Sequence, residues 1–193
     1  MNHRERKRYG NVMREIDYRL ETVEDLFWGR RSTTYDVTTI ESICLQLRKV
    51  LEHIAFSSLI LHKKEYEEVR NDIKRDWHAT RILKKVKSLN PNFYPVALNQ
   101  PEPGNPVYMK SGFLTQKQFE KLYDESGSIL HARNPFVRRN KPMAFYKRVP
   151  NQVERIRNLL SRHQVTFVGS NKIVFVEVPF NSEEPIRVSY GAK

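Results

Sequence analysis

Apolar residues recur every three or four positions through the first sixty residues, and this spacing predicts two amphipathic helices. The first extends from about Arg4 to Trp28, where Gly29 is expected to end it. The second extends from about Val37 to Leu61, and its last turns are apolar nearly all round. We therefore expect the end of the second helix to lie in the centre of the core.

Three further helices are predicted after this pair. A charged third helix spans about 65–89, and the proline-rich stretch near 91–113 is an irregular connection with extended pieces. Thr115 is a suitable N-cap for a fourth helix, which should end before Pro135, while Gly127 could bend it. One short helix fits 151–162. The basic sequence FVRRNKPMAFYKR between the last two is expected to be a connection.

The C-terminal residues have a different pattern. The segments QVTFV, KIVFVEV and IRVSY are rich in β-branched and aromatic residues, and turn-forming sequences separate them. They predict a three-stranded antiparallel meander over 164–193, packed on a helical domain over 1–163. The predicted fold is mainly α, a bundle of about five helices with this small sheet, α+β overall.

Composition narrows the classes of function. The 193 residues suffice for one well-buried core. The single cysteine, Cys44, excludes an intramolecular disulfide and a cysteine-rich zinc site, and no apolar segment approaches the roughly 20 residues of a membrane span. The N-terminal sequence lacks the apolar core of a secretory signal. These features predict a cytoplasmic protein without a membrane contact.

Cofactor chemistry is not indicated by any motif. The sequence has no glycine-rich phosphate loop, and its six histidines lack the local spacing of metal ligands. We therefore expect no cofactor and no metal.

The net charge of +12 predicts a polyanionic partner, RNA more readily than DNA. Nine basic residues and one acidic residue lie between His131 and His163, so this basic segment carries most of the excess. Its aromatic residues could stack on unpaired bases or could simply anchor a loop. The predicted nucleic-acid-binding residues are Arg133, Arg138, Arg139, Lys141, Lys147 and Arg148.

Three candidate catalytic residues lie in the second helix. Arg48 and Glu52 are four residues apart and share a helix face, which is also the spacing of a structural ion pair. Arg48 and His53 form an R-x-x-x-x-H sequence and here the chain resembles the HEPN superfamily, many of whose members are ribonucleases of toxin and antiviral-defence systems. The resemblance implies that the arginine holds a phosphate and the histidine assists attack by the ribose 2'-hydroxyl, without a metal. Five residues rotate about 140° along a helix, so Arg48 and His53 would converge only through local distortion or across a dimer cleft.

A second pattern places His131 at the end of the fourth helix and at the start of the basic segment. Some HEPN-like proteins pair R-x-x-x-E with a later Y-x-x-x-S/G-x-x-x-H, and Arg48, Glu52, Tyr123, Gly127 and His131 resemble that arrangement. The chemistry suits a histidine, because imidazole titrates near neutral pH and a carboxylate such as Glu52 can orient it. The structural alternative is that His131 caps the helix.

Three hypotheses follow. The first is an RNA-cleaving enzyme of a toxin or antiviral-defence system, which uses His131 or His53 together with Arg48. The second is a non-catalytic binder of nucleic acid. The third is a protein-interaction subunit with a partner such as an antitoxin or a larger complex; a homodimer is compatible with each.

Overall fold

A computed structural model describes residues 3–61, 84, 87–88, 91–100, 106–131, 141–166 and 172–192. Five helices and five strands lie in these ranges. The helices are α1 (His3–Phe27), α2 (Asp36–Leu61), α3 (Gln116–Leu130), α4 (Lys141–Tyr146) and α5 (Val149–Leu160). The strands are β1 (Val96–Gln100), β2 (Val107–Tyr108), β3 (Arg162–Thr166), β4 (Lys172–Glu177) and β5 (Arg187–Ala192).

Helices α1 and α2 pack against each other through the stripes that their sequences predict. In α1 the buried residues follow a spacing of three and four, and in α2 the stripe widens toward the C-terminus. Gly29 has a φ of 71°, a conformation that favours glycine, and α1 ends two residues before it. The fully buried α1 side chains are Tyr9, Met13, Ile16, Leu20 and Val23.

Helix α3 begins at a complete capping box. The Thr115 hydroxyl accepts a hydrogen bond from the Gln118 amide (3.3 Å), and the Gln118 side-chain oxygen accepts one from the Thr115 amide (2.9 Å). The helix then continues without a break through Gly127 to Leu130. Its buried face, which includes Phe119 and Leu122, packs on α2.

One antiparallel sheet joins all five strands in the order β2-β1-β3-β4-β5. Its inner face carries Val165, Val174 and Val176, which belong to the same core as the helices. Its outer face carries a second cluster of buried residues, Leu98 and Phe175 among them. Because successive side chains alternate across a strand, β1 and β4 contribute to both clusters, through Ala97 and Leu98 and through Val174 and Phe175.

The predicted class is confirmed, a mainly helical protein with an antiparallel sheet in its C-terminal half, but the sheet has five strands and not three. The two added strands come from the proline-rich connection, and β3 already starts at Arg162, before the predicted boundary at 163–164. Lys141–Tyr146 is a short helix, where we expected only a connection. The predicted third helix lies outside the described residues except 84, 87 and 88, which are helical. No described helix is long and apolar enough to cross a membrane.

Candidate active site

The Arg48 side chain of α2 bridges to α3 in the middle of the helix pair. Its Nη2 donates a hydrogen bond to the Tyr123 hydroxyl (2.5 Å), and its Cζ lies 3.9 Å from the centroid of the Tyr123 ring. A cation over an aromatic face is attracted by the ring quadrupole. Tyr123 is buried and Arg48 is 22% exposed, so these contacts hold the guanidinium in one place.

Glu52 holds the other end of the guanidinium. Its Oε1 lies 3.5 Å from Nε of Arg48, and its Oε2 accepts a hydrogen bond from Nζ of Lys49 (3.1 Å). The ion pair that the four-residue spacing allows is therefore formed. Both oxygens of Glu52 contact cations of its own helix, and the described contacts of this carboxylate do not include His131.

Gly127 makes room for this arrangement. A methyl group at this position would collide with Nη1 of Arg48, so only a residue without a side chain permits the observed approach. Gly127 is therefore an approach site for Arg48 and not a bend. No hydrogen bond of Nη1 is found among the described residues, so its two N–H groups are donors that Tyr123 and Glu52 do not use.

His131 is the C-cap of α3 and is exposed. Tyr123, Gly127 and His131 are successively four residues apart, so they follow one face of the helix, each about 6 Å further along its axis. His131 has extended backbone angles (φ −79°, ψ 141°), and its ring makes no hydrogen bond within the described ranges. The position is that of a capping residue, and the side chain is accessible from solvent.

His53 lies on a different side of α2 from Arg48. Burial lowers the pKa of His53, and the charge of Arg19 in α1 lowers it further, whereas Glu15 and Glu52 raise it. The charges that act on this ring are thus partly those of α1, while Arg48 contacts α3. Within one chain the fold brings Arg48 together with Glu52, Tyr123 and Gly127, and it separates Arg48 from His53.

The basic segment does not form one continuous surface in the part that is described. Arg157 makes two hydrogen bonds to the Glu24 carboxylate (2.7 and 2.8 Å) and one to Asn181 (2.9 Å), so it links α1, α5 and the β4–β5 turn. Arg148 pairs with Glu125 of α3 at 3.1 Å. The Lys147 side chain is exposed and has no partner among the described residues. Arg133, Arg138 and Arg139 lie outside the described residues, and for Lys141 only its place at the start of α4 is described.

Two other potentially reactive groups are sealed in the core. Burial, with a smaller effect of Glu41, raises the pKa of the Cys44 thiol to about 12, so it is not a nucleophile near neutral pH. His163 is fully buried between the Leu160 carbonyl, 2.8 Å from Nδ1, and the Tyr9 hydroxyl, 2.7 Å from Nε2. A carbonyl only accepts, so Nδ1 carries the proton and Nε2 accepts from Tyr9.

A charged cavity at the strand ends was not predicted. It has a volume of about 480 Å³, and a cross-strand row of Arg162, Glu177 and Arg187 crosses it. Glu177 lies 4.0 Å from Arg162 and 3.8 Å from Arg187. Glu184 also lines the cavity, so the cavity contains two arginines and two glutamates. It therefore lacks the excess of positive charge that binding of a phosphate ligand needs. The register of β1 with β3, which forms this cavity, gives no local sequence signal.

No group of three or more potential metal ligands lies among the described residues. Comparison of the chain with protein-family models, with curated proteins and with solved structures finds no match.

Proposed function

We propose that this chain is an RNA-acting protein, and that it cleaves RNA without a metal at the α2–α3 site. The single observation that carries the proposal is the guanidinium of Arg48, which Tyr123 and Glu52 hold beside Gly127, four residues before the exposed C-cap His131. A planar guanidinium can bind two phosphate oxygens at once, and a histidine can transfer protons near neutral pH. The HEPN-like pattern of these residues points to the same chemistry.

In the proposed reaction the ribose 2'-hydroxyl oxygen attacks the adjacent phosphorus while His131 takes its proton. The bond from phosphorus to the 5'-oxygen breaks, and the leaving oxygen takes a proton from water or from the histidine. The products are a 2',3'-cyclic phosphate and a 5'-hydroxyl. Arg48 would stabilise the charge that develops on the non-bridging oxygens.

The test is incubation of the purified protein with RNA in excess EDTA. We expect cleavage by the wild type and its loss in Arg48→Ala and in His131→Ala, with unchanged far-ultraviolet circular dichroism. His3→Ala, at an exposed histidine outside the site, is the matched control and should cleave normally. His53→Ala distinguishes the two proposed motifs. Cleavage should be lost in this variant only if the R-x-x-x-x-H motif is the active one, and should be kept if His131 is the catalytic histidine. Full activity in both Arg48→Ala and His131→Ala would overturn the site.

The second candidate is a non-catalytic nucleic-acid-binding or protein-interaction subunit. It is favoured by the contacts of Arg48 with Glu52 and Tyr123, which stabilise the helix pair without any ligand. RNA binding without cleavage would support this candidate, and the affinity should then fall steeply with salt because each phosphate contact releases counterions. Association that is insensitive to salt would contradict both nucleic-acid readings.

A further inference from the structure

The end of α1 presents a tryptophan to solvent. Trp28 is 62% exposed, although the backbone that carries it is fixed: its amide donates to the Glu24 carbonyl (2.9 Å), and Gly29 turns the chain away. A large exposed aromatic ring on an ordered backbone is unfavourable in water, since its apolar area remains hydrated. Single exposed apolar side chains are common on protein surfaces, so the case for Trp28 depends on the rings, the cavity and the charges around it.

Two further aromatic rings, those of Phe27 and Tyr146, pack in a row next to Trp28. The Phe27 ring meets the Trp28 ring edge to face at a centroid distance of 4.9 Å and lies 4.7 Å from the Tyr146 ring. The Tyr146 hydroxyl donates to the Phe27 carbonyl (2.8 Å), which ties α4 to the end of α1. These contacts restrict the Trp28 side chain before any ligand binds. Little side-chain entropy is therefore lost when a ligand stacks on the indole.

A small cavity opens beside the indole. Its volume is about 210 Å³, and Trp28, Phe27, Val149, Pro150 and Val153 form its apolar wall. Its polar wall is formed by Asn158, Glu154 and the paired Glu24 and Arg157. Small-molecule sites usually measure roughly 300 to 1,000 Å³, so this cavity suits one flat ring and not a complete cofactor.

Basic residues follow Trp28 and Tyr146 closely in the sequence. Arg30 and Arg31 share the single carboxylate of Asp25, at 2.6 and 3.4 Å, and Arg31 is 77% exposed. Lys147 and Arg148 directly follow Tyr146, the third ring. Two guanidiniums on one carboxylate leave a positive charge beside an aromatic face, which is the combination that binds single-stranded nucleic acid.

We propose that Trp28 is a stacking platform for an unpaired base of single-stranded RNA, with Arg30, Arg31 and Lys147 on the flanking phosphates. This inference rests on the RNA binding of the proposed function but not on cleavage. It assigns the base contact to Trp28 at the end of α1, whose neighbour Phe27 packs on Tyr146 of the basic segment.

The test is a titration with 2'-O-methyl oligouridylate, which the proposed reaction cannot cleave because it has no free 2'-hydroxyl. It follows two signals, the anisotropy of the labelled oligonucleotide and the tryptophan fluorescence of a Trp77→Phe variant, which keeps only Trp28. We expect quenching of Trp28 that saturates together with the anisotropy. If Trp77→Phe does not fold, the difference in quenching between wild type and Trp28→Phe reports the same contact. Base stacking on an aromatic side chain predicts that Trp28→Ala weakens binding by about 5- to 100-fold.

Matched variants separate stacking from charge. Tyr18→Ala removes another exposed aromatic of α1, 51% exposed, and should leave the affinity unchanged. Trp28→Ala should not alter the slope of log K against log salt because it removes no charge, whereas the Arg30→Gln, Arg31→Gln double variant should lower that slope.

Three outcomes would overturn the inference. If RNA binds and neither the Trp28 fluorescence nor the affinity of Trp28→Ala changes, the platform is wrong while the proposed function stands. If heparin or polyglutamate quenches Trp28 as strongly as oligouridylate, the surface recognises charge or an acidic protein and not a base. If no RNA binding is seen by anisotropy, the proposed function fails together with this inference.

Discussion

Replacing Gly127 by alanine tests the geometry of the candidate site through stability alone. Alanine in the middle of a helix is normally more stable than glycine by about 1 kcal/mol. Here the added methyl group would push the guanidinium of Arg48 away from Tyr123. Losing a charge-assisted hydrogen bond and a cation–π contact costs roughly 2 to 3 kcal/mol. We therefore expect Gly127→Ala to destabilise the protein by about 1 to 2 kcal/mol net.

The assay is urea unfolding, read as a shift of the midpoint at constant slope. Gly10→Ala is the matched control, because Gly10 is also helical and a methyl group there meets no atom within 4 Å; it should stabilise by about 0.5 to 1 kcal/mol. In an Arg48→Ala background, Gly127→Ala should also stabilise, so the double-mutant cycle should give a coupling of about 2 to 3 kcal/mol. Stabilisation of the wild-type background by Gly127→Ala would refute the reasoning.

The remaining predictions concern acid stability and helix capping. Burial lowers the pKa of His163 to about 4 from 6.5, so the unfolded chain binds the proton first. The contribution of this histidine to stability should be constant above pH 6.5 and fall by about 3 kcal/mol toward pH 4. Urea midpoints across this range should lose that slope in His163→Gln and keep it in His3→Gln; an unchanged slope in His163→Gln would contradict the assignment. Thr115→Ala should lower the free energy of unfolding by about 1 kcal/mol because it removes the N-cap of α3. Ser128→Ala in the same helix should leave it unchanged. Equal urea midpoints for the two variants would show that the capping box contributes no net stability.

Sequence pattern predicted α1, α2, α3 and α5 because their buried faces are encoded locally, whereas the short helix α4 was missed. The stripe of Ile16, Leu20 and Val23 needs no knowledge of what it packs against, and Thr115 marks the start of α3 by its own side chain. The sheet was predicted only in part. Val96 pairs with Gln164, sixty-eight positions along the chain, and prolines surround the β1 segment, so nothing local distinguishes it from a loop.

In the candidate site, too, the local contacts were predicted from the sequence and the long-range contacts were not. The spacing of Arg48 and Glu52 predicts their ion pair, and helix rotation predicts that Arg48 and His53 diverge. The approach of Arg48 to Gly127 depends on the packing of α2 on α3, which only the resemblance suggested. The net charge of the sequence also could not show that Arg157 forms an intramolecular ion pair, because its partner Glu24 lies more than a hundred residues earlier in the chain.

The most direct test of metal-free cleavage at the α2–α3 site compares an RNA oligonucleotide with the all-deoxy oligonucleotide of the same sequence, in excess EDTA. The account predicts that the RNA is cut to a 2',3'-cyclic phosphate and a 5'-hydroxyl by the wild type and left intact by His131→Ala, and that the deoxy strand is never cut. Cleavage of the deoxy strand, a requirement for added magnesium, or wild-type rates in His131→Ala would contradict it.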